Sequence, residues 1–311
     1  MTSRPVVLDC DPGHDDALAL LLALARPELD LRAVTTVAGN APLANTTRNA
    51  LAVLTLAGRT DVPVAAGADR PLERPLRVAP EVHGESGLEG AELPQPAVQP
   101  LPIHATDLMA RAVTEAERPV TLIAVGPLTN IALFLDRHAE LAQRVDRICL
   151  MGGAIGEGNA TASAEFNIWV DPEAAQRVFG SGLPITMIGL DVTHQALVTL
   201  DETDRFAALG NRSGPIFADL LRFFARFHQR RYGWDGAPIH DAVAVAHVLD
   251  LGLVKTAPYR VDVETAGELT SGRTVVDLHG IGGLPANAEV GLSIDRAAFV
   301  DLLVEAVGQF P

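Results

Sequence analysis

The run Leu8-Asp9-Cys10-Asp11-Pro12-Gly13-His14-Asp15-Asp16-Ala17 constrains this chain more than any other. It puts four carboxylates within eight residues, and the nine-residue apolar run Ala17–Ala25 follows at once. A strand-like segment, Pro5–Leu8, precedes it. The pattern predicts a buried strand, a tight Pro12-Gly13 turn, and a helix His14–Ala25 that is apolar nearly all round and therefore buried. The acids then fall at the carboxyl end of a strand and in the first turn of a helix.

The same alternation recurs. Leu31–Val37 leads through Gly39-Asn40 to a helix Leu43–Leu56. Val120–Val125 leads through Gly126-Pro127 to a helix Leu128–Leu135. Ile148–Met151 and Ile185–Leu190 end in further turns. Short buried strands alternating with helices predict an α/β fold: an open, mostly parallel, Rossmann-like sheet with helices on both faces. Asp11, Asp15, Asp16, Asn40 and the Val125-Gly126 turn then share the carboxyl edge of the sheet, where ligands bind. Farther on, Asp201–Gln229 reads as helical and Arg230–Pro238 as a loop. A helix begins near His240, Ala257–Ile294 reads as short strands, and Ala297–Val307 as a closing helix. Gly67–Pro102 and Gly152–Ser163 read as long excursions, which are either functional or hold small elements of their own. No repeat or low-complexity tract divides the chain, and residues 1–311 are expected to form a single domain.

Helix capping explains one or two of the clustered acids, since carboxylates at a helix N-terminus gain roughly 0.3–1 kcal/mol each. Two carboxylates about 5 Å apart repel by about 3 kcal/mol at an effective dielectric near 20, and a third multiplies the cost. A divalent cation removes it. Oxygen donors with no Cys or His cluster beside them suit Ca²⁺ or Mg²⁺ rather than Zn²⁺.

Other polar groups stand apart in sequence. His240-Asp241, in Pro238-Ile239-His240-Asp241-Ala242-Val243, places an acid at another helix start; read alone, it is an N-cap. Asn159, Glu165 and Asn167 offer a carboxylate and two amides, a donor and acceptor set suited to hydroxyl groups. Their plainer reading is an exposed loop edge. The Glu165/Asn167 spacing puts both side chains on one face if the segment is extended. Asp171-Pro172-Glu173 reads as a plain helix start. His83 lies in a glycine-rich loop that fits no phosphate-binding motif. Tyr232 and Trp234 either stack on a flat ligand or pack.

The net charge of −15, from 24 basic against 39 acidic residues, disfavours nucleic-acid and anionic-membrane partners. No apolar run reaches the length that spans a bilayer. Met1-Thr2-Ser3-Arg4-Pro5 lacks a basic-then-apolar leader pattern. Cys10 and Cys149 have no CxxC partner, so reduced thiols and a cytoplasmic location are expected.

The blocks Asp9-Cys10-Asp11-Pro12-Gly13-His14-Asp15-Asp16-Ala17, Thr35-Thr36-Val37-Ala38-Gly39-Asn40, Val125-Gly126-Pro127-Leu128-Thr129-Asn130, Ala164-Glu165-Phe166-Asn167-Ile168-Trp169-Val170 and Ile239-His240-Asp241-Ala242-Val243 occur in this order. Together, from about residue 5 to residue 295, they resemble the inosine–uridine-preferring nucleoside hydrolases. The resemblance implies an open α/β sheet holding one Ca²⁺ per subunit at its carboxyl edge. It implies hydrolysis of the N-glycosidic bond of a small-molecule ribonucleoside to ribose and free purine or pyrimidine base, and a homo-oligomer, dimer or tetramer. Carried onto this chain, Asp11, Asp16, Asp241 and the Val125 carbonyl are the implied metal ligands. Asp15, Asn40, Asn159, Glu165, Asn167 and Asp241 are the implied ribose contacts, with His83 near the base. Asp11 is the implied general base toward water, and His240 the implied general acid. Many members read His-Asp-Pro-Cys where this chain reads His240-Asp241-Ala242-Val243, which leaves the implied ligands in place.

Two other classes fit the residues less well. A dehalogenase-like phosphohydrolase needs DxDx[TV] and a later lysine. Here Gly13 stands where Thr or Val is wanted, and Lys255 is the sole lysine. A non-catalytic nucleoside- or calcium-binding module would have no use for Asp11, His240 and Asp241 together.

Overall fold

The computed structural model describes residues 3–311; Met1 and Thr2 of the N-terminal stretch lie outside the described residues. The strands are β1 (Arg4–Cys10), β2 (Leu29–Thr36), β3 (Val64–Ala66), β4 (Val120–Ala124), β5 (Val145–Met151), β6 (Ile185–Ile188), β7 (Leu197–Thr199), β8 (Gly236–Pro238), β9 (Val254–Val263), β10 (Thr274–Asp277) and β11 (Ala288–Ile294). Nine of them form one sheet in the order β10-β9-β11-β6-β5-β4-β1-β2-β3, while β7 and β8 make a separate pair. Every pairing from β11 to β3 through β6 is parallel; β9 runs antiparallel to both β10 and β11. The expected mostly parallel sheet is present, with an antiparallel edge.

The strand order reverses at β1. From it the chain winds outward to β2 and β3, then returns to β4 on the other side. Such a switch point opens a crevice at the carboxyl ends of the two diverging strands. Register keeps those ends level: Asp9 faces Thr35 of β2 and Ala124 of β4. Asp11 and Val125 therefore emerge side by side although 114 positions separate their numbers.

The helices are α1 (His14–Ala25), α2 (Leu43–Leu56), α3 (Pro80–His83), α4 (Ala105–Glu115), α5 (Thr129–Arg137), α6 (Phe166–Val170), α7 (Pro172–Phe179), α8 (Leu190–Thr193), α9 (Leu200–Ala207), α10 (Ser213–Tyr232), α11 (His240–Leu249) and α12 (Arg296–Gly308). Every residue of α1 is buried, as its uniform apolarity requires. It packs against α11 on one sheet face, while α4, α5 and α7 cover the other. Both α1 and α11 begin at the carboxyl edge, so their acidic first turns meet. No helix among the described residues is long and apolar enough to cross a membrane.

Two local expectations change. The region read as helix to Gln229 is two helices, and α10 continues to Tyr232. Arg230, Arg231 and Tyr232 are all tolerated in a helix; Gly233, at φ 73°, is the residue that ends it in the left-handed conformation. Glu165 is extended, as read, but Phe166 onward is helical and Asn167 lies inside α6. Asp171 caps α7 as read, accepting from the Ala174 N–H at 3.0 Å.

Candidate active site

The opening turn is held by its own backbone. Asp16 accepts from the Asp11 N–H at 3.1 Å and the Gly13 N–H at 2.9 Å. Asp11 Oδ2 accepts from the Asn40 N–H at 2.6 Å, and the Asn40 side-chain amide reaches the Asp11 carbonyl and Asp16, each at 3.2 Å. Asn40 thus ties the end of β2 to the end of β1. The glycines of two neighbouring blocks have a steric cause. A Cβ at Gly39 would lie 2.1 Å from Asp11 Oδ2, and one at Gly126 would lie 2.6 Å from Asp11 Oδ1. Only bare backbone can close round that carboxylate.

The structure brings carboxylate oxygens of Asp15, Asp16 and Asp241 within 4.8 Å of one another. All three are buried, and among the described residues no salt bridge reaches them or Asp11. Burial, and then the neighbouring Asp16, pushes Asp11 well above the carboxylate range and Asp15 up to about 7. Burial, then Asp15 and Asp16, does the same to Asp241. Asp11 Oδ1 is buried with no hydrogen-bond partner. A protein does not ordinarily gather unpaired buried acids. An orphaned oxygen beside three converging carboxylates fits a hard cation that takes oxygen ligands. The Val125 carbonyl lies at the same edge. It accepts from the Asn167 amide at 2.9 Å, which leaves its second lone pair open.

A cavity of about 600 Å³ opens over this turn. Asp15, Asn40, Val125, Glu165, Asn167 and Asp241 line one end of it. Asp11 and Asp16 are fully buried and do not line it. Glu165 accepts from three backbone N–H groups, those of Gly153, Asn167 and Ile168, at 2.9–3.1 Å. Asn167 spends its NH₂ on the carbonyls of Val125 and Met151, so its Oδ1 is the atom left over. Asn159 also lines the cavity, its Oδ1 accepting from the Phe166 N–H at 2.9 Å. The acid and the two amides are therefore a braced wall and not a loop edge.

The other end is made of rings. His83, Phe224, Phe227, His228, Trp234 and His240 line it. Trp234 stacks on Tyr232 at 4.6 Å and on His228 at 5.9 Å, and meets His194 edge-on at 4.9 Å. His240 Nδ1 lies 2.7 Å from the Thr193 hydroxyl. Burial, and then the neighbouring His194 and His228, holds His240 well below the ordinary imidazole range. His83 is displaced in the same direction by burial and by His14.

Of the candidate site residues named from the sequence, Asp15, Asn40, His83, Val125, Asn159, Glu165, Asn167, His240 and Asp241 line this one cavity, and Asp11 and Asp16 are buried behind it. Phe224, Phe227, His228, His194 and His14 were not singled out. Phe224, Phe227, His228 and Arg231 stand at i, i+3, i+4 and i+7, one face of α10, but such a stripe ordinarily marks a core face.

Residues 6–301 match the family described as inosine-uridine preferring nucleoside hydrolase. A pyrimidine-specific ribonucleoside hydrolase RihA of Shewanella sp. (strain ANA-3) is 53% identical over 309 residues, 99% of this chain and 97% of its own. RihA of Escherichia coli O127:H6 (strain E2348/69 / EPEC) is 52% identical over 302 residues, 97% of each chain. Among solved structures, a purine-preferring ribonucleoside hydrolase from Gardnerella vaginalis superposes with a TM-score of 0.92 at 33% identity, covering 98% of both chains.

Proposed function

The chain belongs to the inosine–uridine preferring nucleoside hydrolase family, and we propose that it is a calcium-dependent hydrolase of pyrimidine ribonucleosides. The observation that carries this is the two-ended cavity: buried carboxylates and amides at one end, rings at the other. Ribose needs the first and a flat base the second. The preference for pyrimidines follows the relatives at 52–53% identity, which are named pyrimidine-specific.

Asp11, Asp16, Asp241 and the Val125 carbonyl would hold the ion. When bound, Ca²⁺ offsets the repulsion among the carboxylates and makes water a better acid. Asp11 takes the proton of the attacking water at Oδ1, the oxygen with no partner in the protein. Asp15, Asn40, Asn159, Glu165, Asn167 and Asp241 hold the ribose hydroxyls. As the N-glycosidic bond stretches, the sugar gains oxocarbenium character. Buried carboxylates stabilise that charge more than the neutral ground state, the difference that raises kcat. His240, braced at Nδ1 by Thr193, delivers a proton to the leaving base from Nε2. Its low proton affinity makes its protonated form a strong acid. His83 meets the base.

We also propose that the chain acts as a cytoplasmic homo-oligomer. Leu269, Ile281 and Leu284 are exposed apolar side chains that an interface would cover; a monomer in sedimentation would remove that part.

The test is release of reducing sugar from uridine, cytidine, inosine, adenosine and guanosine, with calcium and after chelation. Calcium-dependent release, fastest from uridine and cytidine, is expected. Faster release from the purine nucleosides would overturn the base preference, and no release from any would overturn the hydrolase reading for these substrates.

A further inference from the structure

His14 lies between the turn glycine and the clustered acids, yet its side chain packs against His83 and Phe224, two rings of the cavity wall. Its ring is nearly parallel to that of Phe224, 4° apart with centroids at 5.1 Å, and it lies 5.3 Å from that of Phe223. Its Nε2 is 2.7 Å from the Glu89 carbonyl, and its Nδ1 is 3.0 Å from His83 Nδ1. These two contacts fix the protons. A carbonyl only accepts, so the neutral His14 ring carries its proton on Nε2 and leaves Nδ1 bare. The short contact between the two Nδ1 atoms then requires the proton on His83. The His14 backbone N–H also lies 3.4 Å from His83 Nδ1. That distance is beyond the ordinary range for a hydrogen bond, and the 3.0 Å ring contact outranks it. His83 Nε2 is thereby left as a lone pair. Among the described residues it has no hydrogen-bond partner, and His83 lines the cavity. Close approach is permitted by Gly13, where a Cβ would lie 2.5 Å from His83 Nδ1.

We infer that His14 is a positioning residue: it locks His83 in the Nδ1–H tautomer, so that the base meets a bare His83 Nε2 that accepts from an N–H donor on its edge. The inference rests on the nucleoside hydrolase reading above. Uracil offers N3–H and cytosine its 4-amino group. A nitrophenolate leaving group offers no such donor.

The tautomer is read directly from long-range ¹⁵N–¹H correlation spectra of histidine-labelled enzyme. A protonated Nδ1 and a bare Nε2 on His83 are expected; a protonated Nε2 would overturn the inference, whatever the enzyme hydrolyses. Two variants separate the lock from mere bracing of the 84–90 loop. His14→Asn keeps an acceptor where Nδ1 stood and gives up the Glu89 contact. His14→Gln keeps a donor toward Glu89 and gives up the acceptor. The lock requires His14→Gln to lose about tenfold in kcat/KM on uridine and cytidine, and His14→Asn less than about threefold. With p-nitrophenyl riboside both should lose less than about threefold. Full activity in His14→Gln with loss in His14→Asn would make His14 a loop brace only. Equal losses of His14→Gln on nucleosides and nitrophenyl riboside would overturn the role in base recognition. Absence of ribose release by the unaltered enzyme would defeat the hydrolase reading and leave the spectrum to decide the tautomer.

Discussion

The two ends of the cavity are built by different means. The acidic end is assembled from strand ends and helix starts, and backbone N–H groups hold its carboxylates. Asp16 takes two of them, Asp11 one, and Glu165 three. The ring end depends on side chains touching one another: Tyr232 on Trp234, Trp234 on His228 and His194. Asp11 is wholly buried, whereas Tyr232 is 37% exposed. An acid caged by main chain cannot shift without moving a strand. A stack at the end of a helix can repack when one member changes. On the proposed function, the chemistry of the glycosidic bond, the same for every base, falls to the rigid end and the identity of the base to the end that can vary. Such a division would account for a pyrimidine-specific relative and a purine-preferring one on the same fold.

The largest effect should follow from breaking the acidic end at its centre. Asp11→Ala is expected to lower kcat on uridine by about three to four orders of magnitude, the range of a lost general base compounded by a weakened ion site. The circular dichroism spectrum should be unchanged, since removing a buried, repelled carboxylate relieves the fold. Near-normal turnover would remove Asp11 from the base role and the division of labour with it.

Stability against pH should sharpen the contrast, because the two ends respond with opposite sign. Asp9 and Asp15 rise from 3.8 to about 7, chiefly through burial. Between pH about 4 and 7 the unfolded chain releases these protons and the folded, metal-free chain keeps them. Their contribution therefore falls as pH rises, by at most about 4 kcal/mol each. His14 and His228 drop from 6.5 to about 4, again chiefly through burial. The unfolded chain binds those protons first as pH falls below 6.5, so their contribution grows as pH rises through that window, by at most about 3 kcal/mol each. In urea titrations of the metal-free protein, Asp15→Asn should tilt the stability curve upward with pH and His228→Phe should tilt it downward. A tilt of the same sign in both would break the contrast. Calcium held beside it should favour ionised Asp15 by its charge and shrink the Asp15 part, and leave Asp9, which faces Thr35 and Asn130, untouched.

His240 stands where the two ends meet, one residue from Asp241 and ringed by His194 and His228. His240→Ala is expected to cost about a hundredfold in kcat on uridine, within the usual range for a general acid. On p-nitrophenyl riboside, whose leaving group is a stable anion, the cost should be several times smaller. Equal losses on the two substrates would move His240 from proton donor to simple wall.

This asymmetry also governs what the sequence reveals. The acidic end was legible because its chemistry is local: Asp11, Asp15 and Asp16 lie within six residues around one turn, and α1 and α2 begin and end where their apolar patterns say. The α/β order was legible for the same reason. What was not legible depends on packing at a distance. Nothing in Phe166-Asn167-Ile168-Trp169-Val170 announces a five-residue helix. It forms because Glu165 caps it, and that cap is held by Gly153 on another turn. β3 is three residues long and exists through its pairing with β2. The ring end draws on α3, α8, α10 and the segment after Gly233, and only the folded chain brings them together. His14 was hidden by its neighbours, since its side chain leaves the acids it sits among.

The smallest effect tests whether the ends are separable at all. Trp234 is set among rings: it stacks on Tyr232 and His228 and meets His194 by its edge. Among the described residues no hydrogen bond or ring contact joins it to Asp11, Asp15, Asp16 or Asp241. A stacking partner on a base is worth about 1–3 kcal/mol, but Tyr232 and His228 remain to share that role. Trp234→Ala should therefore raise KM for uridine by about tenfold and leave kcat within about threefold. The ratio of uridine to inosine turnover should fall, because a widened ring end penalises the larger base less. Calcium affinity, measured by titration calorimetry, should not change. If it weakens together with uridine binding, the stacked rings brace α11 and through it Asp241, and the two ends act as one body rather than as a fixed reaction centre with an exchangeable base site.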